Sequence, residues 1–181
     1  SCARDLGPGW KISPSVDVKA GETFDLANIE GAGKITHIWI TTHTDNWRTL
    51  LLRAYWDGAE EPAVEVPYGD FFCNGFATRA LVTSEPIVVA PTGGMNSYFP
   101  MPFRRHARIE LESQHRGDLE HVFFQVDLTT GDEVADDVPY LHAQWRRSDG
   151  TTAAGEDHVI LDSTGAVVVQ SRQLAMVPRS N

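Results

Sequence analysis

Ala107-Arg108-Ile109-Glu110-Leu111-Glu112 alternates an apolar residue with a charged one. A β-strand turns successive side chains to opposite faces, so Ala107, Ile109 and Leu111 face a core while Arg108, Glu110 and Glu112 face water. A helix would scatter the same residues around its surface. The same period recurs along the chain. Leu50, Leu52, Ala54 and Trp56 oppose Leu51, Arg53, Tyr55 and Asp57, and Val122, Phe124, Val126 and Leu128 oppose His121, Phe123, Gln125 and Asp127. From Lys34 to His43, strict alternation puts Ile35, His37, Trp39 and Thr41 on one face and Thr36, Ile38, Ile40 and Thr42 on the other. Further strands are expected near 22–28, 63–66, 87–90, 141–146, 158–161 and 167–174.

Turn-forming residues separate these runs: Gly31-Ala32-Gly33, Asp57-Gly58, Thr92-Gly93-Gly94, Gly117-Asp118, Gly131-Asp132 and Asp149-Gly150. Each offers a residue that tolerates a positive φ. Short strands at this spacing, without crossover helices, predict an all-β antiparallel sandwich of jelly-roll type. At most one helical turn is expected, within Phe71 to Val82. No internal repeat or linker divides the 181 residues, so a single domain over 1–181 is expected.

The net charge of −10 argues against nucleic acid and anionic membranes as partners, since both require clustered Lys and Arg. No apolar run approaches the roughly 20 residues of a membrane-spanning helix. Asp132, Glu133, Asp136 and Asp137 read as a solvated loop. Cys2 and Cys73 do not form a disulfide framework, and the expected compartment is the cytoplasm.

Chemical motifs are sparse. The seven histidines lack zinc-site spacing and there is no Cys-x-x-Cys, so neither metal nor cofactor is expected. His37 and His142 read as hydrogen-bonded core histidines. There is no Gly-x-Ser-x-Gly elbow, and Gly93-Gly94 leads into an aromatic strand rather than a phosphate-binding helix. Glu65 and Asp70 flank Pro67 and Gly69, where a turn can bring two carboxylates to one side of a cleft. Arg104-Arg105 and Arg146-Arg147 follow aromatic segments, placing a forked donor where it can clamp a carboxylate or simply pair with surface acids.

Two segments concentrate rings, prolines and polar side chains: Val64-Glu65-Val66-Pro67-Tyr68-Gly69-Asp70-Phe71-Phe72 and Asn96-Ser97-Tyr98-Phe99-Pro100-Met101-Pro102-Phe103-Arg104. Prolines 100 and 102 argue against a central strand there and for a stiff aromatic loop. Two readings fit such a loop: recognition of a rigid polar ligand such as a sugar, or a plug for the open end of the β-structure.

Five blocks occur in order: Ile35 to Thr41, Leu52 to Gly58, Val64 to Phe72, Tyr98 to Arg104 and His142 to Arg147. Together they resemble the amino-terminal half of the difructose-anhydride synthase/hydrolase family of glycoside hydrolases, which includes α-D-fructofuranosidases and D-arabinofuranosidases. The resemblance runs from Gly21 to Leu161, with a divergent tail from Ser163. It implies one jelly roll of a double jelly roll, retaining furanosyl chemistry, and assembly as a trimer or a multiple of it. The family's catalytic glutamates sit in Trp-Trp-Gly-Glu-Gly and Gly-Thr-Gly-Thr-Glu-Asp segments, neither of which occurs in these residues. The expectation is therefore a carbohydrate-binding domain, inactive alone, with no catalytic residue of its own. Asp70, Phe71, Phe72, Asn96, Tyr98 and Arg104 are its expected substrate-binding residues. The alternatives are a trimerising assembly module, helped by the apolar tail residues Val167, Val169, Leu174, Met176 and Val177, or a stand-alone sugar-binding domain.

Overall fold

The computed structural model describes residues 15–146. The strands expected near 158–161 and 167–174, Cys2, Arg147, the Asp149-Gly150 turn and the tail from Ser163 lie outside the described residues. Two sheets pack face to face. The first contains β1 (Val16–Val18), β11 (Leu119–Thr130), β3 (Gly33–Thr41), β8 (Met95–Ser97), β7 (Ile87–Val89) and β6 (Val82–Thr83) in that spatial order, with β9 (Met101–Phe103) also paired to β3. The second has the order β12 (Ala143–Gln144), β5 (Val64–Pro67), β4 (Leu50–Trp56), β10 (His106–Ser113) and β2 (Thr23–Glu30). Every pairing is antiparallel except β12 with β5. This is the expected all-β sandwich, consistent with a jelly roll.

The core forms where the two inner faces meet. Ile38, Ile40, Met95 and Met101 from the first sheet face Leu50, Leu52, Ala54, Val64, Ala107, Ile109 and Leu111 from the second, all nearly fully buried. The inward positions read in β4 and β10 are the ones the structure adopts, but on the opposite face Glu110, paired with Arg108, and Tyr55 are buried rather than facing water. Each fully buried Leu or Ile contributes about 1.5–3 kcal/mol relative to exposure, so this double row carries most of the fold's stability.

Three expectations change. In β3, Asp127 pairs with His37 but Leu128 pairs with Ile35, leaving Thr36 as an extra residue. This bulge shifts the phase of the strand. Ile35 joins Ile38 and Ile40 in the core, while His37, Trp39 and Thr41 face outward. His37 is thus a residue of the outer sheet face, not a core histidine, and His142, just before β12, is exposed and is not a core histidine either. Second, Pro102 lies within strand β9, opposite Lys34. Among the described residues β9 pairs with β3 alone, so the missing N–H of the proline is accommodated at an open edge. Third, the helical turn α1 is Tyr68–Phe71, earlier than expected, because Pro67 closes β5 with a φ already near helical values. Beyond it, only a 3-10 turn at Thr44–Asn46 is helical among the described residues.

Gly33 lets β3 approach its neighbours closely. A Cβ there would run into the backbone carbonyl of Thr129 and the ring of Phe103, and the carbonyl cannot move without breaking the ladder.

Candidate carbohydrate-binding site

The chain leaves β5 at Pro67 and enters α1 with its aromatic residues turned inward. Tyr68 and Phe72 are fully buried, and the Tyr68 hydroxyl donates to the carbonyl of Ile40 at 3.0 Å. Trp47, Tyr68, Phe72 and Phe71 form a chain of edge-to-face contacts with centroids 5.1–6.4 Å apart. Gly69 allows α1 to lie against Trp47, since a Cβ would come within 2.9 Å of the Trp47 Cβ. With this turn anchored, Asp70 is held in place. Phe72, as a core residue, offers no face to a ligand, whereas Phe71 is half-buried beside it.

Asp70 is clamped by Arg48, whose Nη1 donates to Oδ1 at 2.7 Å, to Oδ2 at 2.6 Å and to the Gly75 carbonyl at 3.0 Å. The carboxylate is 10% exposed. Burial raises the Asp70 pKa above the usual carboxylate value, and the Arg48 charge opposes that rise without cancelling it. The Arg48 guanidinium lies 5.2 Å from the ring of Trp145, which is 40% exposed. The Arg48 side chain is 38% exposed, and among the described residues its hydrogen bonds run through Nη1. The result is a surface with an aromatic face, a partly exposed guanidinium and an anchored carboxylate. Cys73 follows with a φ of 65° and a thiol whose pKa burial pushes up, which makes it a poor nucleophile.

Glu65 does not pair with Asp70 across a cleft. It extends from the outer face of the second sheet, where Arg53 Nε donates to it at 2.7 Å and also bonds Glu112 through Nη1. Burial works against the Arg53 charge, but Glu112 and Glu65 outweigh it and keep the guanidinium protonated. Two carboxylates held by two different arginines do not form an acid–base pair.

Asn96 and Tyr98 occupy a separate place, the outer face of the first sheet, together with His37. Arg104 occupies a third. Its Nη2 donates to the carbonyls of Ala135 at 2.6 Å and Val138 at 2.8 Å, and its guanidinium stacks 4.7 Å from Tyr140. It staples the acidic loop containing Asp132, Glu133, Asp136 and Asp137, all of which are exposed as expected. These donors are committed to protein carbonyls rather than to a ligand carboxylate. Beneath it, Asp57 Oδ1 accepts the backbone N–H groups of Arg104, Arg105 and His106 at 2.9, 2.7 and 3.2 Å.

The six expected residues therefore divide among three locations, and only Asp70 and Phe71 flank the α1 platform. Arg48 was not singled out in the sequence. Its one signal is a lone basic residue between buried Trp47 and the apolar run of β4.

Residues 11–126 match the family model described as GH172 domain-like, which is more than half of the chain. The chain belongs to that family. The GH172-like region contains Arg48, Asp70, Asn96, Tyr98 and Arg104, whereas Tyr140 and Trp145 lie beyond it. The match covers the first four of the five sequence blocks, agrees with the resemblance they carry and relates the chain to carbohydrate-active glycoside hydrolases. It ends earlier than the resemblance read from the sequence, which extends to Leu161. A search of curated proteins returns no match. Among the described residues no group of three or more His, Cys, Asp or Glu is arranged to hold a metal ion. No helix among them is long and apolar enough to cross a membrane.

Proposed function

We propose that this domain is the sugar-binding half of a furanosidase-type glycoside hydrolase, acting on fructofuranosyl or arabinofuranosyl groups. In this reading α1 holds the substrate, and bond cleavage requires glutamates that these 181 residues do not supply. The observation that carries it is the Arg48–Asp70 clamp beside exposed Trp145. A furanose ring would lie on the indole while its hydroxyls take the partly exposed Arg48 guanidinium. Isothermal titration with fructofuranosyl and arabinofuranosyl oligosaccharides tests this. Trp145→Ala and Arg48→Ala are each expected to weaken binding about tenfold or more, from loss of the stacking face and of charge-assisted hydrogen bonds. The chain should leave aryl α-D-fructofuranosides and α-D-arabinofuranosides intact. Turnover abolished by Asp70→Asn would overturn the division of labour, and unchanged binding by both Ala variants would overturn the site.

A second reading, a self-associating assembly module, draws on the exposure of Phe76 at 56% and Leu81 at 68% in the loop after α1. It requires closed homo-oligomers, a trimer by family habit, that tighten with salt as the net charge of −10 is screened. Light scattering coupled to size exclusion at low and high salt checks it. A 20 kDa species in both buffers counts against it.

A further inference from the structure

The outer face of the first sheet carries a second cluster with features the sandwich does not need for folding. His37 is held at both ring nitrogens, with Nδ1 2.9 Å from Asp127 Oδ2 and Nε2 3.1 Å from Asn96 Oδ1. Both partners are themselves fixed. Asn96 Nδ2 donates to the carbonyl of Val88 at 3.2 Å, which sets the orientation of its amide, and Gln125 Nε2 donates to Asp127 Oδ1 at 2.9 Å. The Tyr98 ring lies flat on this locked imidazole, with centroids 4.7 Å apart and planes 15° from parallel. Tyr98 is nevertheless 47% exposed, so its far face and its hydroxyl are open.

Trp39 stands in the next outward position of β3, directly across from Asn96 and Gln125. Its indole lies over Gly94, where a Cβ would come within 2.9 Å of Nε1. That N–H has no hydrogen-bond partner among the described residues and is not sealed from solvent. Outward positions along a strand are about 6.6 Å apart, close to the dimensions of a sugar ring.

We propose that this face is a second glycan-binding surface, distinct from α1, which takes a neutral carbohydrate chain lying along β3 over Trp39 and the His37–Tyr98 stack. The inference rests on the carbohydrate reading of the domain. Three properties select this ligand. The exposed Tyr98 ring and the partly exposed Trp39 indole offer flat apolar faces to the C–H face of a sugar. The Trp39 N–H, the Tyr98 hydroxyl and the Gln125 and Asp127 side chains surround them with donors and acceptors suited to hydroxyl groups. His37 is paired with Asp127 on this face, and the overall charge of −10 disfavours polyanions, which favours a neutral polyhydroxylated chain. An exposed tyrosine ordinarily loses rotamer freedom when it binds. Here the locked histidine has already imposed that order, which reduces the entropic cost of association.

Affinity electrophoresis of the full chain through gels containing inulin, arabinan or mixed-linkage β-glucan tests the proposal. Tyr98→Ala removes an exposed ring, and Trp39→Phe keeps the ring but deletes the open N–H. Retardation by at least one polysaccharide is expected, with apparent affinity falling about five- to tenfold in Tyr98→Ala and about fivefold in Trp39→Phe. Trp145→Ala should retain most of it. Retardation lost in Trp145→Ala but unchanged in Tyr98→Ala and Trp39→Phe would overturn this surface and leave the α1 reading standing. Short oligosaccharides that bind by titration, with no retardation by any polysaccharide, would also overturn it. Retardation that depends on Tyr98, with no effect of Trp145→Ala or Arg48→Ala in the titration, would uphold this surface while removing the α1 site.

Discussion

Asp57→Ala is expected to destabilise the domain by about 3–5 kcal/mol in chemical denaturation, the largest effect of a single polar substitution here. One carboxylate oxygen of Asp57 accepts three consecutive backbone N–H groups, and the other accepts the Tyr140 hydroxyl. Alanine would leave all four donors without that partner. It would also occupy a φ of 57°, a left-handed conformation that costs a residue with a plain Cβ about 1 kcal/mol. Asn tolerates that φ and keeps one acceptor, so Asp57→Asn should cost about half as much. Partial burial works against ionisation of Asp57, but the Tyr140 hydroxyl and the N–H groups of Arg105, His106 and Arg104 outweigh it and lower the pKa below its ordinary 3.8. A carboxylate whose folded pKa is lowered contributes stability that is fully present above its unfolded value and disappears as pH falls through the folded one. The difference between wild type and Asp57→Asn should therefore be constant at neutral pH and shrink as pH falls through the ordinary 3.8 of the unfolded carboxylate and on through the lowered folded value. A cost under 1 kcal/mol for Asp57→Ala would show that water replaces the carboxylate without penalty.

Phe72→Ala should cost about 3–5 kcal/mol and weaken sugar binding at α1 together with stability. Its ring is fully buried against Tyr68 and Phe71, so truncation opens a cavity beneath the turn that positions Asp70. Phe72→Leu, which fills most of that volume, should recover most of both losses. Trp145→Ala provides the contrast, with stability nearly unchanged and binding weakened about tenfold or more. Thermal melts read beside titrations separate the two classes. A destabilised Phe72→Ala that binds at full strength below its melting point would show that α1 is not held from beneath.

The fold was legible wherever the side-chain period was undisturbed. In β4 and β10 alternation alone identified the inward residues, because their pairing with each other is regular from Ala107–Trp56 to Ser113–Leu50. In β3 the alternation was misleading after Ile35, since the bulge at Thr36 arises from registration against β11, a strand far away in sequence. Pro102 reads as a strand breaker unless the strand is known to have an open side. The site was only half legible for a similar reason. Asp70 stands out after Pro67-Tyr68-Gly69, but Arg48 precedes it by 22 residues, and no local pattern links the two. The bulge brings Ile35 into the core beside Ile38 and Ile40, while His37 keeps the outward phase of Trp39 and Thr41 and carries the Tyr98 stack.

The parallel pairing of β12 with β5 gives the α1 site two walls of unequal permanence. One wall is α1 itself, fastened from below by Tyr68 and Phe72. The other is Trp145, which directly follows β12, an edge strand among the described residues, and is held through the bonds from Ala143 N–H to the Ala63 carbonyl and from Trp145 N–H to the Glu65 carbonyl. A short edge strand opens by local fraying at far less than the global unfolding free energy. The indole wall is thus expected to open before the frame does. If a sugar rests on Trp145 as proposed, it would hold that wall in place, and the amide protons of Ala143 and Trp145 would record its occupancy by exchanging more slowly.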